Sequence, residues 1–519
     1  MSGAANPIEL LISRHVRAGH GDRIACVDHE HGPVTYAELE SAAAGYATAL
    51  AAAGVAPGSR VLVVSDDSAA MVATILGLWW HGCVPVPVNP ILRDREIAEI
   101  ACGAGVVAAR LAVGADRARS LAQLGIPEVP ALDLRDSRAP ATDRPAEFAP
   151  DAELLVQFTS GSTGHPRGVR HALSGIRAVL DGFGSVLRLT ADDVVMSTAK
   201  LSFGYGFGNS LLFPLAAGAT SVLMSGLPDP YTVAAALDRY RPTVFCAVPR
   251  AYASLLELAT AGKPVNLSSV RLAVSAGEHH PVDLACRLTE TFGLALINGL
   301  GTTELLHIVV ATDPAAAPNG SLGRSVPGAR ITVRDDSGAV LPDGMQGRLH
   351  VAGDSVALGY LDQRPAVRPT FADGGVYTGD VGYRDAAGEL HYLCRSDDLL
   401  NLGGFKVSPQ EIEAVVRAVP GVADCAVVAR TDAHGLEQAV AHVVAAPGWR
   451  PEALNKAIRV MFKQSLAPYK RPFRIEVHDA LPTTSVGKLA RFRLRGGGGA
   501  RPEDPVLQGD SPEGRKESA

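Results

Sequence analysis

The sequence has no surplus of basic residues, and that absence argues against a nucleic-acid-binding protein. Lysine and arginine together number 48 against 54 aspartate and glutamate residues, for a formal net charge of −6. A nucleic-acid binder usually presents a basic face. The basic residues here are scattered, apart from a late cluster at 488–495. We therefore expect no nucleic-acid partner.

Cysteine is also scarce, and its spacing argues against two kinds of site. The chain has 7 cysteines, an odd number, and no Cys-x-x-Cys pair. This pattern supports neither a cysteine-rich metal site nor a disulfide framework, and it indicates a reducing compartment.

The pattern of a membrane-spanning segment or a signal peptide is missing as well. The most apolar window, residues 71–88, is interrupted by His81, Gly82 and two prolines, so it is too broken to cross a bilayer. The first residues lack the basic region and apolar core of a secretory signal. We expect a soluble, cytoplasmic protein with no membrane partner.

Residues 159–169 lack the Gly-Lys-Ser/Thr ending of a Walker A loop, yet their composition suits a polyphosphate. The segment follows an apolar run at 154–158, which predicts a buried strand. Glycine lets a backbone approach an anion closely, and Arg167 adds a planar cation. A flexible linker is the alternative, but linkers rarely follow a buried strand so directly. The other predicted phosphate-binding residues are Thr159, Ser160, Gly161, Ser162, Thr163 and Gly164.

A length of 519 residues predicts two or more domains. Residues 1–150 alternate helical and β-branched segments, which favours an α/β fold with helix-covered, mostly parallel sheets. The same alternation continues after the loop, with predicted strands at 219–224, 244–249 and 272–277. From about residue 320 to 396, short strands and polar turns predict a β-rich subdomain.

The last part of the chain predicts a small α+β domain at 397–495 and a disordered tail at 496–519. The tail has too few apolar residues to form a core. The predicted elements of the small domain are helices at 409–419 and 450–464 and strands at 425–429 and 438–444.

Six segments, taken together and in this order, resemble the motifs of the acyl-adenylate-forming (AMP-binding) enzymes, which include acyl-CoA synthetases, peptide-synthetase adenylation domains and luciferases. The likeness covers residues 10–495. It implies a large adenylating domain at 1–396 and a small mobile domain that rotates about a hinge at Asp397. The segments are 159–168, 299–304, 377–380, 395–398, 403–406 and 482–488.

The resemblance also assigns roles to single residues. Arg167, where most relatives have lysine, would help to hold the β- and γ-phosphates of ATP. Thr303 would contact phosphate, and Glu304 would coordinate Mg²⁺ beside the α-phosphate. Lys488 would bridge the substrate carboxylate and the α-phosphate. The remaining implied contacts are Gly277 and Glu278 beside adenine, Asp380 and Arg395 on the ribose, and Gly403, Gly404 and Lys406 beside the pantetheine channel.

Within that superfamily, the segments 200–209, 305–308 and 489–495 resemble the benzoate–CoA ligases. The implied substrate is a small aromatic acid. Ser202 replaces an aromatic residue and Gly204 replaces the usual alanine, which suggests a roomier or more polar pocket and a hydroxy- or amino-substituted benzoate. His307 is either a substrate contact or a packed, hydrogen-bonded histidine, and the second is favoured. The implied pocket residues are Gly204, Tyr205, Leu306, His307 and Ile308.

The implied reaction uses ATP and Mg²⁺ to form an acyl-AMP with release of pyrophosphate, and then transfers the acyl group to CoA. A carrier-protein thiol, an amine or nitrite stays open as the acceptor, and so does a homodimer. A non-catalytic nucleotide sensor is disfavoured, because Lys488, Glu304, Asp380 and Arg395 are all present.

Overall fold

The chain divides into two compact units, Met1–Asp397 and Asp398–Ala519. A computed structural model describes residues 6–129, 134, 144–159, 166–278, 280–362, 369–396, 398–402, 405–431, 437–483 and 489–495. The division falls within one residue of the boundary predicted between 396 and 397. The predicted hinge residue Asp397 and the predicted tail at 496–519 lie outside the described residues.

A nine-stranded, mostly parallel sheet forms the centre of the larger unit. Six neighbouring strands are parallel, and antiparallel strands extend both edges. The strand Leu272–Ala276 is buried at every residue, as expected where helices cover both faces. The order across the sheet is Arg324–Ser325, Ile308–Ala311, Leu296–Gly301, Leu272–Ala276, Val244–Ala247, Val194–Ser197, Thr220–Val222, Ile24–Asp28 and Gly32–Thr35.

Two three-stranded sheets complete the α/β part. One is parallel, with the order Val84–Val88, Arg60–Ser65 and Ala108–Ala112. The other is antiparallel, with the order Gly359–Tyr360, Arg167–Ala172 and Glu153–Thr159.

The predicted phosphate loop joins two strands of the antiparallel sheet. The apolar run before it forms the strand Glu153–Thr159, which confirms that prediction, and Arg167–Ala172 follows it. A Walker A loop leads into a helix whose N-terminus binds phosphate. Here a strand follows instead, so any phosphate affinity must come from the loop and its side chains.

The β-rich part predicted from residue 320 contains a five-stranded antiparallel sheet. It packs a small core of its own, which includes Ile331, Leu349 and Val376. Four strands run in the order Arg330–Arg334, Gly347–Ala352, Gly375–Arg384 and Phe371–Ala372, and Leu390–Arg395 pairs with Gly375–Arg384.

The helices of the larger unit follow local sequence signals. Thr35 and Glu38 form a capping box at the start of Tyr36–Ala52. Pro249, predicted to end a strand, begins the helix Pro249–Thr260, where a missing N–H is harmless. The others are Ala69–His81, Asp94–Ala104, Ala115–Ala122, Leu173–Asp181, Phe183–Leu187, Gly204–Phe207, Phe213–Ala217, Pro230–Tyr240 and Val282–Phe292, with single helical segments at Glu9–Ser13, Val16–His20, Gly208–Leu212 and Thr303–Leu305.

The smaller unit is an α+β fold around one sheet. Glu437–Ala445 is the middle strand, antiparallel to Val422–Thr431 and parallel to Arg474–His478. A hairpin of Leu400–Leu402 and Phe405–Val407 precedes it. The helices are Pro409–Arg417, Pro451–Ser465 and Arg491–Arg495, with a helical turn at Pro468–Lys470. The predicted strands are each a few residues too short.

Arg491 lies in the basic stretch that resembles benzoate–CoA ligases, and it anchors the smaller unit. Its guanidinium donates to the buried carboxylate of Glu413 at 2.5 Å, and Glu413 also accepts from the Val427 N–H at 2.8 Å. These contacts give Arg491 a structural role.

Among the described residues, no helix is both long enough and apolar enough to cross a membrane.

Candidate active site

A strained turn carries the predicted metal ligand Glu304 and two of the predicted aryl-pocket residues, Leu306 and His307. It links the strands Leu296–Gly301 and Ile308–Ala311. Leu306 has φ +65° and ψ −45°, and the His307 N–H donates to the Leu305 carbonyl at 2.8 Å. This is a γ-turn of positive φ, which a residue with a β-carbon rarely adopts. Glu304 and Leu306 are therefore held two residues apart in one defined turn.

The Glu304 carboxylate is oriented by a tyrosine that sequence reasoning missed. The Tyr360 hydroxyl donates to Glu304 Oε1 at 2.6 Å. No described residue hydrogen-bonds the second oxygen, Oε2, and the side chain is partly exposed. A carboxylate oxygen of this kind suits Mg²⁺, a hard cation that takes one or two carboxylates together with phosphate oxygens. Burial and the Glu304 charge raise the pKa of Tyr360, so its hydroxyl remains a donor.

Hydroxyl groups beside Glu304 also fit a phosphate group. Thr303 begins the helical turn that contains Glu304. Thr302 precedes it, and its buried Oγ1 atom has no hydrogen-bond partner among the described residues. Thr302 lies within the motif at 299–304, but nothing in the sequence marked it as a candidate phosphate contact.

Arg167 closes the predicted phosphate loop. It pairs with Thr159 across the hairpin, and its guanidinium carbon lies 3.7 Å from the centroid of the Tyr360 ring. The structure thus brings Thr159, Arg167 and, through Tyr360, Glu304 together. The loop residues Ser160, Gly161, Ser162, Thr163 and Gly164 lie outside the described residues.

Asp380 and Arg395 form the predicted ribose pair on adjacent strands. Arg395 Nη1 donates to Asp380 Oδ1 at 3.1 Å and to the Thr378 carbonyl at 2.9 Å, and Asp380 is 4% exposed. Gly379 has φ +79°, and a β-carbon there would lie 2.5 Å from Arg395 Nη2. A residue with a β-carbon would be strained at this positive φ and would contact the guanidinium. A carboxylate held beside a guanidinium suits a vicinal diol.

The predicted adenine-flanking turn ends the strand Leu272–Ala276. Gly277 has φ +89°, and Glu278 follows it. His280 lies two residues after Glu278. It is buried, with Nδ1 at 2.7 Å from the Ser275 hydroxyl. His279 lies outside the described residues.

Tyr205 lies in the segment 200–209 that resembles benzoate–CoA ligases, and its hydroxyl is already hydrogen-bonded within the protein. The Tyr205 hydroxyl donates to the Val274 carbonyl at 2.9 Å, and burial raises its pKa. The residue keeps intermediate exposure, so part of the ring stays accessible. Ile308, also predicted to line the pocket, is 3% exposed. Tyr205 therefore offers an apolar surface to a ligand.

His307 is a packed histidine behind that ring. Its Nε2 atom lies 3.2 Å from the Tyr205 carbonyl, and its ring stacks on Phe183 with centroids 5.2 Å apart. Phe213 contacts it edge-on at 4.7 Å. Burial lowers the pKa of His307 to about 3, so the imidazole is neutral at physiological pH and supplies no charge.

Gly204 does not open extra room, and that expectation was wrong. A β-carbon there would lie 2.1 Å from the Leu306 carbonyl oxygen and 3.2 Å from Gln157 Oε1. The space left by the missing side chain is filled by the γ-turn.

Replacing Gly204 with alanine should therefore destabilise the larger unit and impair acid activation. The β-carbon must displace a backbone carbonyl, and overpacking of this kind costs about 1–3 kcal/mol. Thermal unfolding and aryl-acid-dependent pyrophosphate exchange measure the two effects. Gly103→Ala is the matched control, because nothing lies within 4 Å of its β-carbon and its helix favours alanine. Equal stability of the two variants would contradict the packing argument.

Two buried polar side chains lie near Gly204: Ser202, which sequence reasoning singled out, and Gln157, which it missed. The side-chain oxygen and nitrogen of Gln157 have no hydrogen-bond partner within the described part of the chain. The same is true of the Ser202 hydroxyl. Gln157 is 0% exposed and Ser202 is 5% exposed. The sequence did contain a signal, since Gln157 is the one polar residue of the apolar run at 154–158.

Some predicted site residues belong to the smaller unit. Lys406 lies on the strand Phe405–Val407. Gly403, Gly404 and Lys488 lie outside the described residues, and their roles stay predictions.

Both domains of the chain match models of one family. Residues 13–361 match the AMP-binding enzyme model, and residues 411–488 match that of the AMP-binding enzyme C-terminal domain. A benzoate–CoA ligase of Thauera aromatica is 35% identical, with coverage of 94% of this chain and 95% of that protein. A 4-hydroxybenzoate–CoA/benzoate–CoA ligase of Rhodopseudomonas palustris is 33% identical, with 96% of each covered.

The fold is similar to that of solved members as well. The crystal structure of the anthranilate–CoA ligase AuaEII in complex with anthranoyl-AMP aligns with a TM-score of 0.83 and 30% identity, over 94% of this chain and 96% of that one. The first family match alone spans more than half of the chain. The chain therefore belongs to the AMP-binding enzyme family, the acyl-adenylate-forming enzymes.

Proposed function

We propose that the chain is an AMP-forming aryl acid–CoA ligase whose acid is a benzoate with a hydroxyl or amino substituent. Its cosubstrates are ATP, with Mg²⁺, and CoA. The observation that carries the proposal is the turn at 302–307, which holds Glu304, the predicted Mg²⁺ ligand, two residues from Leu306, a predicted aryl-pocket residue. The named relatives act on benzoate, hydroxybenzoate and anthranilate.

In the first step, a carboxylate oxygen of the acid bonds to the α-phosphorus of ATP, and pyrophosphate leaves. Charge accumulates on the phosphoryl oxygens, so the protein acts mainly by positioning and electrostatic stabilisation. Arg167 and the loop would bind the leaving group, Lys488 would bridge the reacting oxygens, and Asp380 with Arg395 would hold the ribose. Mg²⁺ held by Glu304 would supply charge neutralisation beside the α-phosphate.

In the second step, the thiol of CoA attacks the carbonyl carbon of the acyl-AMP. The C–S bond forms, the C–O bond to phosphate breaks, AMP leaves, and the thiol proton is released. In the aryl pocket, Tyr205 and Ile308 would contact the ring of the acid through apolar surface.

The polar substituent is supported by the buried groups around Gly204. A buried polar group without a partner is unfavourable by about 1–3 kcal/mol. The polar side-chain atoms of Gln157 and Ser202 have no hydrogen-bond partner among the described residues. A hydroxyl or amino group, directly or through a water molecule, would satisfy such atoms, whereas an unsubstituted ring would not.

Replacing Gln157 with leucine should shift preference toward plain benzoate. Sites that hydrogen-bond a substrate reject analogues without that group, and loss of one such bond corresponds to about tenfold in relative kcat/KM. Pyrophosphate exchange with benzoate, the hydroxybenzoates and the aminobenzoates measures the ratio. Gln123→Leu, at an exposed position of the same unit, is the control. An unchanged ratio would show that Gln157 does not determine specificity. A preference of the wild-type enzyme for plain benzoate would contradict the proposal of a substituted benzoate.

The acceptor is tested by identifying the product. Incubation with ATP, Mg²⁺ and the preferred acid should give acyl-AMP, and addition of CoA should convert it to the acyl-CoA thioester with release of AMP. Mass spectrometry distinguishes these species. If the adenylate persists with CoA but is consumed by an amine, nitrite or a carrier-protein thiol, that nucleophile is the acceptor in place of CoA.

A further inference from the structure

One aromatic ring joins the end of the phosphate loop to the predicted metal carboxylate. Arg167 lies over one face of Tyr360, and the Tyr360 hydroxyl bonds to Glu304. We propose that Tyr360 is a positioning residue that holds the Glu304 carboxylate and the Arg167 guanidinium in one fixed arrangement for Mg²⁺-bound nucleotide. This inference rests on the proposed function, because that function places nucleotide at this site.

The ring itself is held from three directions. Its strand, Gly359–Tyr360, pairs with Arg167–Ala172, and the next residue donates its N–H to the Gly168 carbonyl at 2.8 Å. A β-carbon at Gly168 would lie 2.6 Å from Leu361 Cδ1, so the two segments pack in close contact. Phe371 meets the ring edge-on, with centroids 5.1 Å apart. The hydroxyl therefore has a defined position.

The hydroxyl restricts how Glu304 can bind a cation. A hydrogen bond from an O–H to a carboxylate is charge-assisted, and 2.6 Å is typical of the strong ones. It occupies Oε1, so the carboxylate is held in one orientation and presents Oε2. The main chain adds a second tie, because the Ala357 N–H donates to the Glu304 carbonyl at 2.9 Å.

The same ring accounts for arginine at position 167. A guanidinium is planar, weakly hydrated and stacks on aromatic faces, whereas an ammonium is a compact and strongly hydrated charge. At 3.7 Å from the centroid, Arg167 uses Tyr360 as a platform. Lysine would keep the charge and lose most of the stacking, so the departure from the usual lysine is matched to this neighbour.

Calorimetric binding of α,β-methylene-ATP at increasing Mg²⁺ tests the proposal without turnover. Tyr360→Phe keeps the ring under Arg167 and removes the bond to Glu304. We expect the half-saturating Mg²⁺ concentration to rise about tenfold, as for one lost charge-assisted bond. Binding of AMP without Mg²⁺ should stay at the wild-type value, and the melting temperature of the unliganded protein should fall by only a few degrees, as for one lost hydrogen bond. Arg167→Lys should weaken binding of the analogue several-fold at saturating Mg²⁺.

Tyr383→Phe is the matched control, because Tyr383 stacks on His391 and donates no hydrogen bond to Glu304. A wild-type Mg²⁺ requirement in Tyr360→Phe would overturn the proposal. So would a larger fall in melting temperature with equal loss of AMP binding, since that marks a purely structural residue. If the wild type itself fails to bind the analogue with Mg²⁺, the proposed function fails, which is a distinguishable result.

Discussion

Replacing Lys488 with alanine should abolish formation of the acyl-AMP and leave thiol transfer from supplied acyl-AMP largely intact. Lys488 is predicted to place its charge between the substrate carboxylate and the α-phosphate, where negative charge develops. Removal of one such preorganised group lowers the rate by about 10²–10³-fold. The predicted rotation of the small domain would move this lysine away before the second half-reaction, which is therefore expected to proceed without it. Pyrophosphate exchange reports the first step, and thioester formation from synthetic acyl-AMP reports the second.

Lys463→Ala provides the control for that experiment. Lys463 is an exposed lysine on the helix Pro451–Ser465 of the same unit, and it has no part in the proposed chemistry. Both half-reactions should proceed at the wild-type rate in this variant. Equal loss of both half-reactions in Lys488→Ala would contradict the predicted rotation of the small domain.

Replacing Glu304 with glutamine should lower kcat for adenylation about 10²-fold or more, because a Lewis-acidic cation contributes several kcal/mol to the transition state. Glutamine has nearly the same shape, and its amide oxygen can still accept from Tyr360. The change therefore removes the charge and preserves the packing. Pyrophosphate exchange across a Mg²⁺ titration should show a raised Mg²⁺ requirement together with the lower plateau.

The control for Glu304→Gln is Glu290→Gln, at an exposed position of the helix Val282–Phe292. It loses one negative charge from the same unit without touching the turn, so its rate should match the wild type. A Glu304→Gln enzyme that retains the wild-type plateau and the wild-type Mg²⁺ requirement would exclude Glu304 as the metal ligand.

Sequence reasoning succeeded where a short motif determines local geometry. Alternating helices and β-branched runs predicted the parallel sheet, and the polar loop was found at the end of the strand Glu153–Thr159. Asp380 and Arg395, each implied as a ribose contact by a motif of its own, lie opposite each other on paired strands, and their ribose role stays a prediction. These signals are local, so one sequence is enough to read them.

The misses depend on contacts between distant segments. The Leu306 carbonyl fills the space at Gly204, about 100 residues away in the chain, and no local pattern announces a γ-turn. Tyr360 reaches Glu304 only because its strand pairs with Arg167–Ala172. His280 is polar and yet buried, because the Ser275 hydroxyl on the preceding strand is its hydrogen-bond partner.

The turn at 302–307 also limits how this enzyme can acquire new substrates. A mutation that reshapes the pocket at Leu306 moves a strained backbone, and Glu304 lies two residues away on the same turn. Gains in substrate range on that wall would tend to come with losses in catalysis. The buried Gln157 is under a similar constraint, because it lies two residues before Thr159 on the strand Glu153–Thr159 that leads into the predicted phosphate loop. Substrate range and nucleotide binding are therefore expected to change together in this protein rather than one at a time.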